Sequence, residues 1–166
     1  MPDKRTIDKA REDRREGKSA STQAGEFVRA QIDKIRRGVH GARSARQAIA
    51  IGLSEARRAG VDLPPPRRGK TKRSTRKSAK YAYAVGQGKR KPRRRPRVSR
   101  AVEGVLKREP RRSASHRSLS RQGRSAAARR SSAQRSAAAR KAARTKGAAG
   151  RSAAAKKAAR TRARRR

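Results

Sequence analysis

The chain has no cysteine and no tryptophan, one phenylalanine, two tyrosines and one methionine. The missing thiols exclude disulfides, thiol nucleophiles and Cys-based zinc sites. The shortage of large apolar side chains limits the core. Its hydrophobic 31% is mostly alanine, and ordering a residue costs ~1–2 kcal/mol of chain entropy that only buried surface can offset. Acids are scarce too: 11 against 53 lysines and arginines, for a net charge of +42 over 166 residues. Low hydropathy with such charge predicts disorder. The expected fold class is mainly α with extensive disorder. No apolar run approaches the ~20 residues that span a bilayer. The first residues, MPDKRTIDKAREDRREGKSAS, lack the apolar stretch of a secretory signal, so the expected location is cytoplasmic, with no membrane partner.

Nine of the eleven acids lie within residues 1–62, among 15 bases; the other 38 bases face only Glu103 and Glu109. A near-balanced head thus precedes a polycation, and a polycation calls for a polyanion.

Five segments follow from the pattern. Residues 1–18, dense in mixed charge, read as a disordered tail. Residues 19–66 read as a helical hairpin domain, with the αα-hairpin itself over about 21–60. Ser21 or Thr22 would cap the first helix, with Glu26 in its first turn, and Phe27, Val28, Ile32 and Ile35 make an apolar stripe. After GVHGAR, Ser44-x-x-Gln47 has capping-box spacing, Arg57 and Arg58 suit a last turn, and Gly60 is a stop before Pro64-Pro65-Pro66. The expected core is Phe27, Ile32, Ile35, Ile49 and Leu53. Residues 67–96 read as a basic linker, with YAYAVGQG too short and alanine-rich for a strand. In 97–109 the positions Val98, Ala101, Val102, Val105 and Leu106 describe an isolated amphipathic helix able to dock on the hairpin. Residues 110–166 are a low-complexity Ala/Arg/Lys tail. RSAAARKAARTK from Arg135 returns as RSAAAKKAARTR from Arg151, with GAAG as a hinge between.

The stretch from Ser19 to Pro66, through its RQAIAIGLSEARRAG core and the proline run, resembles a bacterial family of small basic proteins of unknown function. RAVEGVLKREPRRSASHRSLSRQGRSAAARR looks like an accompanying segment of the same proteins. The resemblance implies a DNA-binding role without an assigned chemistry. The tail is similar in composition to those of linker histones and bacterial histone-like proteins.

Catalysis finds little support. His40 and His116 have no acid or thiol at useful spacing, no carboxylate pair or metal spacing stands out, and GQGK is too short for a phosphate loop. The expectation is a non-enzyme with no cofactor and no metal. Nucleic-acid binding rests on firmer ground, because each neutralised phosphate releases counterions whatever the base. Twenty bases and no acid follow Pro110, and arginine outnumbers lysine by 38 to 15. Arginine also grips phosphate through two donors. The expected contacts are Arg93, Arg94 and Arg95 in the linker; Arg111 and Arg112 after Pro110; Arg124, Arg129, Arg130, Arg135, Arg140, Lys141, Arg144 and Arg151 along the repeats; and Lys156, Lys157, Arg160, Arg162, Arg164, Arg165 and Arg166 at the end. Tyr81 and Tyr83 read as linker residues rather than a base-stacking platform. Glu55 and mixed charge make the second hairpin helix a weak base reader. The expected function is that of a nucleoid-associated, histone-like protein that binds double-stranded DNA without sequence preference and compacts it. Self-association through the 19–66 hairpin would assist. The alternative is an RNA- or ribosome-associated basic protein.

Overall fold

The computed structural model describes residues 3–93 and 95–164. Among them are seven α-helices, one short 3-10 turn and no strand: α1 (Lys4–Arg15), α2 (Ala20–Arg36), α3 (Ala45–Arg58), α4 (Arg73–Gly86), α5 (Pro96–Arg108), the turn Arg111–Ala114, α6 (His116–Ala128) and α7 (Ser132–Ala163). The chain divides into two compact units, residues 1–122 and 123–166. Extensive disorder, expected from the charge, is therefore incorrect. Helix replaces it in the N-terminal tail, in the linker and along the repeats.

The hairpin is present and its ends are set by local chemistry. α2 starts at Ala20 behind Ser19, earlier than Ser21 or Thr22, so Glu26 falls beyond the first turn. It stops at Gly38, with φ +78. The Gly38 N–H donates to Ile35 and the Val39 N–H to Lys34, both onto carbonyls, which is the Schellman arrangement. α3 stops the same way: Gly60, φ +89, donates to Arg57 and Val61 to Ala56. Between them, the Gln47 N–H donates to Ser44 Oγ at 3.2 Å, as the capping spacing requires. The return bond, however, runs from the Arg43 N–H to Gln47 Oε1 at 2.7 Å.

The packing solves the shortage of large side chains by close approach. α3 buries Ala45, Ala48, Gly52 and Ala56. A Cβ at Gly52 would lie 2.6 Å from Val28 Cα, so the α2 and α3 backbones nearly touch. Phe27 fills the first cluster with Ala10, Ala24, Ala56 and Val61. Ile35 fills the second with Ala42, Ala48 and Ala114. Of the expected core, Phe27 and Ile35 are fully buried, whereas Ile32, Ile49 and Leu53 are only half-buried. The reason is steric: small residues allow helices to approach, so Ala48, Gly52 and Ala56 form the seam with α2, while Leu53 packs against the edge of the Phe27 cluster and Ile32 against that of Ile35.

Three polar devices complete this unit. Gln31, buried, donates through Nε2 to Glu55 at 2.6 Å, while its Oε1 lies 3.0 Å from His40 Nε2. This gives His40 a structural place in the loop. Lys18 Nζ lies 2.7 Å from Asp13 and 2.6 Å from Glu16, closing the end of α1. The hydrogen bond to Asp13, then that to Glu16, raises the Lys18 pKa. Arg57, also buried, donates to the carbonyls of Leu63 at 3.1 Å, Pro64 at 3.4 Å and Leu53 at 3.5 Å, tying the proline run to α3. Its burial lowers the guanidinium pKa. Arg57→Met keeps the aliphatic stem and strips those carbonyls of their donors. The expected loss is about 1–3 kcal/mol, read as a lower urea midpoint with an unchanged slope.

α1 packs on α2 through Ala10 and Ile7, so residues 4–15 are part of the fold, not a solvated tail. α4 occupies the expected linker, burying Ala79 and Ala82. Its Tyr83 hydroxyl donates to Asp62 at 2.6 Å, and this bond raises the Tyr83 pKa. α5 is helical, as its pattern requires, yet buries none of its residues. Only its C-terminal end is tied down, by the Gly41 N–H donating to the Leu106 carbonyl at 2.7 Å. Val98, Val102 and Val105 remain 53, 52 and 48% exposed, so the expected docking of this face on the hairpin does not occur.

Candidate nucleic-acid interface

The second unit sets out most of the expected cations on a regular scaffold. Ser131 opens α7 with a full capping box: the Gln134 N–H donates to Ser131 Oγ and the Ser131 N–H to Gln134 Oε1. Alanine, the strongest helix former, fills the gaps. Gly147 leaves the helical region, with φ 63 and ψ 179, and splits α7 into two stretches. The expected GAAG hinge thus narrows to a single residue. Each stretch is roughly 22 Å long at 1.5 Å per residue, a length over which a DNA duplex carries on the order of a dozen phosphates.

Arg135, Arg140, Lys141 and Arg144 lie on the first stretch; Arg151, Lys156, Lys157, Arg160 and Arg162 lie on the second, and Arg164 caps it. Arg140 and Arg144 share a face at i,i+4, and Lys156 and Arg160 repeat that spacing. Arg124 lies on α6, and Arg129 and Arg130 fill the connection to α7. All these side chains are exposed. The helix has no apolar stripe, which explains why none of α7 is buried: it has nothing to bury.

In the first unit, Arg111 and Arg112 lie on the 3-10 turn, and Arg93 and Arg95 precede α5; all four are exposed. The Arg93 N–H donates to the Tyr81 hydroxyl at 2.7 Å, and the Arg90 guanidinium lies 5.3 Å from the Tyr81 ring centre. Tyr81 is thus engaged at its edge and on its face, and Tyr83 by Asp62. Arg94, Arg165 and Arg166 lie outside the described residues.

A cationic cluster that the sequence did not single out lies at the start of α4. Arg68, Gly69, Thr71, Arg73 and Arg76 line an open cavity of about 490 Å³. Lys72, the cap of α4, makes no side-chain cap bond, and no acid occupies the first turn. The positive end of the helix dipole is therefore unopposed among arginines, an arrangement suited to phosphate. The legible signal was the periodicity of Ala79, Ala82 and Gly86, obscured by the flanking proline and lysine runs.

No group of histidine, aspartate and glutamate that could hold a metal ion occurs among the described residues. No helix among them is long and apolar enough to cross a membrane. Residues 3–68 match the model of a family of unknown function (DUF6496). This fits the expected resemblance to such a family and extends it from Ser19 back through α1. No curated protein and no solved structure matches the chain.

Proposed function

We propose that this chain is a non-enzymatic protein of the nucleoid that binds double-stranded DNA without base preference and compacts it. The observation that carries this reading is the second unit: helices bearing exposed arginines and lysines, with no acid from Pro110 to the end. A helical rod fixes the spacing of its charges before binding, so it loses less chain entropy on a duplex than a disordered polycation would. The 490 Å³ cluster at α4 and the arginines of the 3-10 turn add phosphate contacts in the first unit. Duplex is favoured over single strands because Tyr81 and Tyr83 are already engaged and offer no free stacking platform.

Two measurements test this. Crosslinking in cells followed by sequencing of the bound nucleic acid should return chromosomal fragments spread along the genome. Dominant recovery of ribosomal RNA would replace the reading with the RNA-associated one. In competition between duplexes of different sequence, the expected preference is less than about tenfold, against the ~10³-fold or greater ratios of specific regulators. A defined motif enriched from a random library would refute base-indifferent binding.

A further inference from the structure

α3 has two dissimilar faces. Its small residues meet α2, while the half-buried Ile49 and Ile51 line a groove beside that seam, with Leu53 packed against the Phe27 cluster and bordering the groove as well. α3 and α4 come together at their C-terminal ends, where Gly86 lies against the Arg57 carbonyl and the Gly60 N–H. Before that junction the helices leave an open groove of about 570 Å³. Ile49, Ile51 and Leu53 form one wall, and Ser74, Ser78 and Ala79 the other.

The lining residues include Arg46 and Arg57 and no carboxylate. In a chain of net charge +42, any basic occupant would be repelled. From Arg46 to Arg57 the groove follows α3 for roughly 18 Å, the reach of apolar anchors at i, i+3, i+4 and i+7 on a second helix. We propose that the α3/α4 groove docks an amphipathic helix with acidic flanks, supplied by another protein. The occupant places its apolar ridge against Ile49, Ile51 and Leu53, and its carboxylates face the exposed Arg46, because Arg57 is already committed to the Leu53, Leu63 and Pro64 carbonyls. This function is distinct in chemistry from DNA binding: the groove is apolar, although it adjoins through Thr71 the cavity at the start of α4, where Arg68 and Arg73 gather.

The absence of native cysteine allows a clean test. Full-length Ser78→Cys is folded first and then alkylated with a bulky maleimide, which fills the groove without challenging folding. The probe is an 18-residue leucine/glutamate peptide with its leucines at helical spacing. Its control is the same composition scrambled, so that charge is equal. Binding is measured by fluorescence anisotropy at about 0.5 M salt, where charge attraction to exposed cations is screened. The patterned peptide should bind unalkylated protein at least about tenfold more tightly than the scrambled one. Alkylation should erase that preference, whereas a methylthio group on the same cysteine should leave it. Equal binding of the two peptides, or a preference that survives bulky alkylation, overturns the proposal.

Discussion

Removing residues 123–166 should lower duplex affinity by about 100-fold or more near physiological salt and flatten its salt dependence. The deleted unit carries 16 of the 53 bases and no acid. On B-DNA, log K falls against log salt with a slope of about 0.9 per phosphate engaged, so the loss of even half of those contacts reduces the slope by roughly 7. The remaining 1–122 unit holds both apolar clusters, so its helical circular dichroism and cooperative unfolding should persist. That separates lost contacts from lost folding. A truncated protein with unchanged slope would move the interface to the first unit, where the arginines around α4 and the 3-10 turn are the next candidates. A point change tests the scaffold within the same unit. Gly147→Ala removes a glycine that sits at φ 63, where a side chain is strained. It should straighten α7 and change DNA affinity far less than the truncation does.

The hairpin was legible because its signals are local. Ser44, Gly38 and Gly60 mark their helix ends by side-chain and backbone chemistry that acts over a few residues, and the structure uses all three. α5 was legible for the same reason: Val98, Val102 and Val105 repeat at helical spacing between two prolines. The core was half legible. Hydrophobicity alone ranks Ile49 and Leu53 above Ala48 and Gly52, yet helix approach favours the small residues, and that preference depends on a partner that periodicity does not name. α1 and α4 were hidden by charge. Asp13 is buried at the end of α1 beside Lys18, a pairing that composition scores as two solvated groups. In α4 the anchor is Ala79, Ala82 and Gly86, whose burial contributes little per residue and leaves a weak pattern beneath the lysines. The second unit was legible in charge and hidden in shape. Like-charge repulsion argued for a coil, but alanine propensity and the Ser131 cap favour the helix.

Adding one methyl group to α3 should destabilise the first unit, while adding the same group to α2 should stabilise it. Gly52→Ala places a Cβ 2.6 Å from Val28 Cα, 2.9 Å from Val28 N and 3.0 Å from the Phe27 carbonyl oxygen. All three are backbone atoms, so no rotamer change relieves the contact and the helices must move apart. Separation loosens Phe27, Ala24 and Ala56, which share one cluster, and such overpacking costs about 1–3 kcal/mol. Gly52→Leu should exceed that range and unfold a unit whose total stability is expected to lie near 5–15 kcal/mol. At Gly25, also helical, an added Cβ meets nothing within 4 Å. Gly25→Ala should therefore give the helix-propensity gain of about 1 kcal/mol. Leu53→Asp should fall between the glycine variants. Its side chain packs against the Phe27 cluster but is half-buried and borders the groove, so the carboxylate keeps contact with water, and the unit should stay folded where Ala56→Asp, at a fully buried position, should not. Urea midpoints of these variants on residues 1–122 decide the matter. A Gly52→Ala protein as stable as Gly25→Ala would mean that α2 and α3 do not cross at this distance, and the alanine-and-glycine seam would no longer explain why Ile49 and Leu53 are only half-buried.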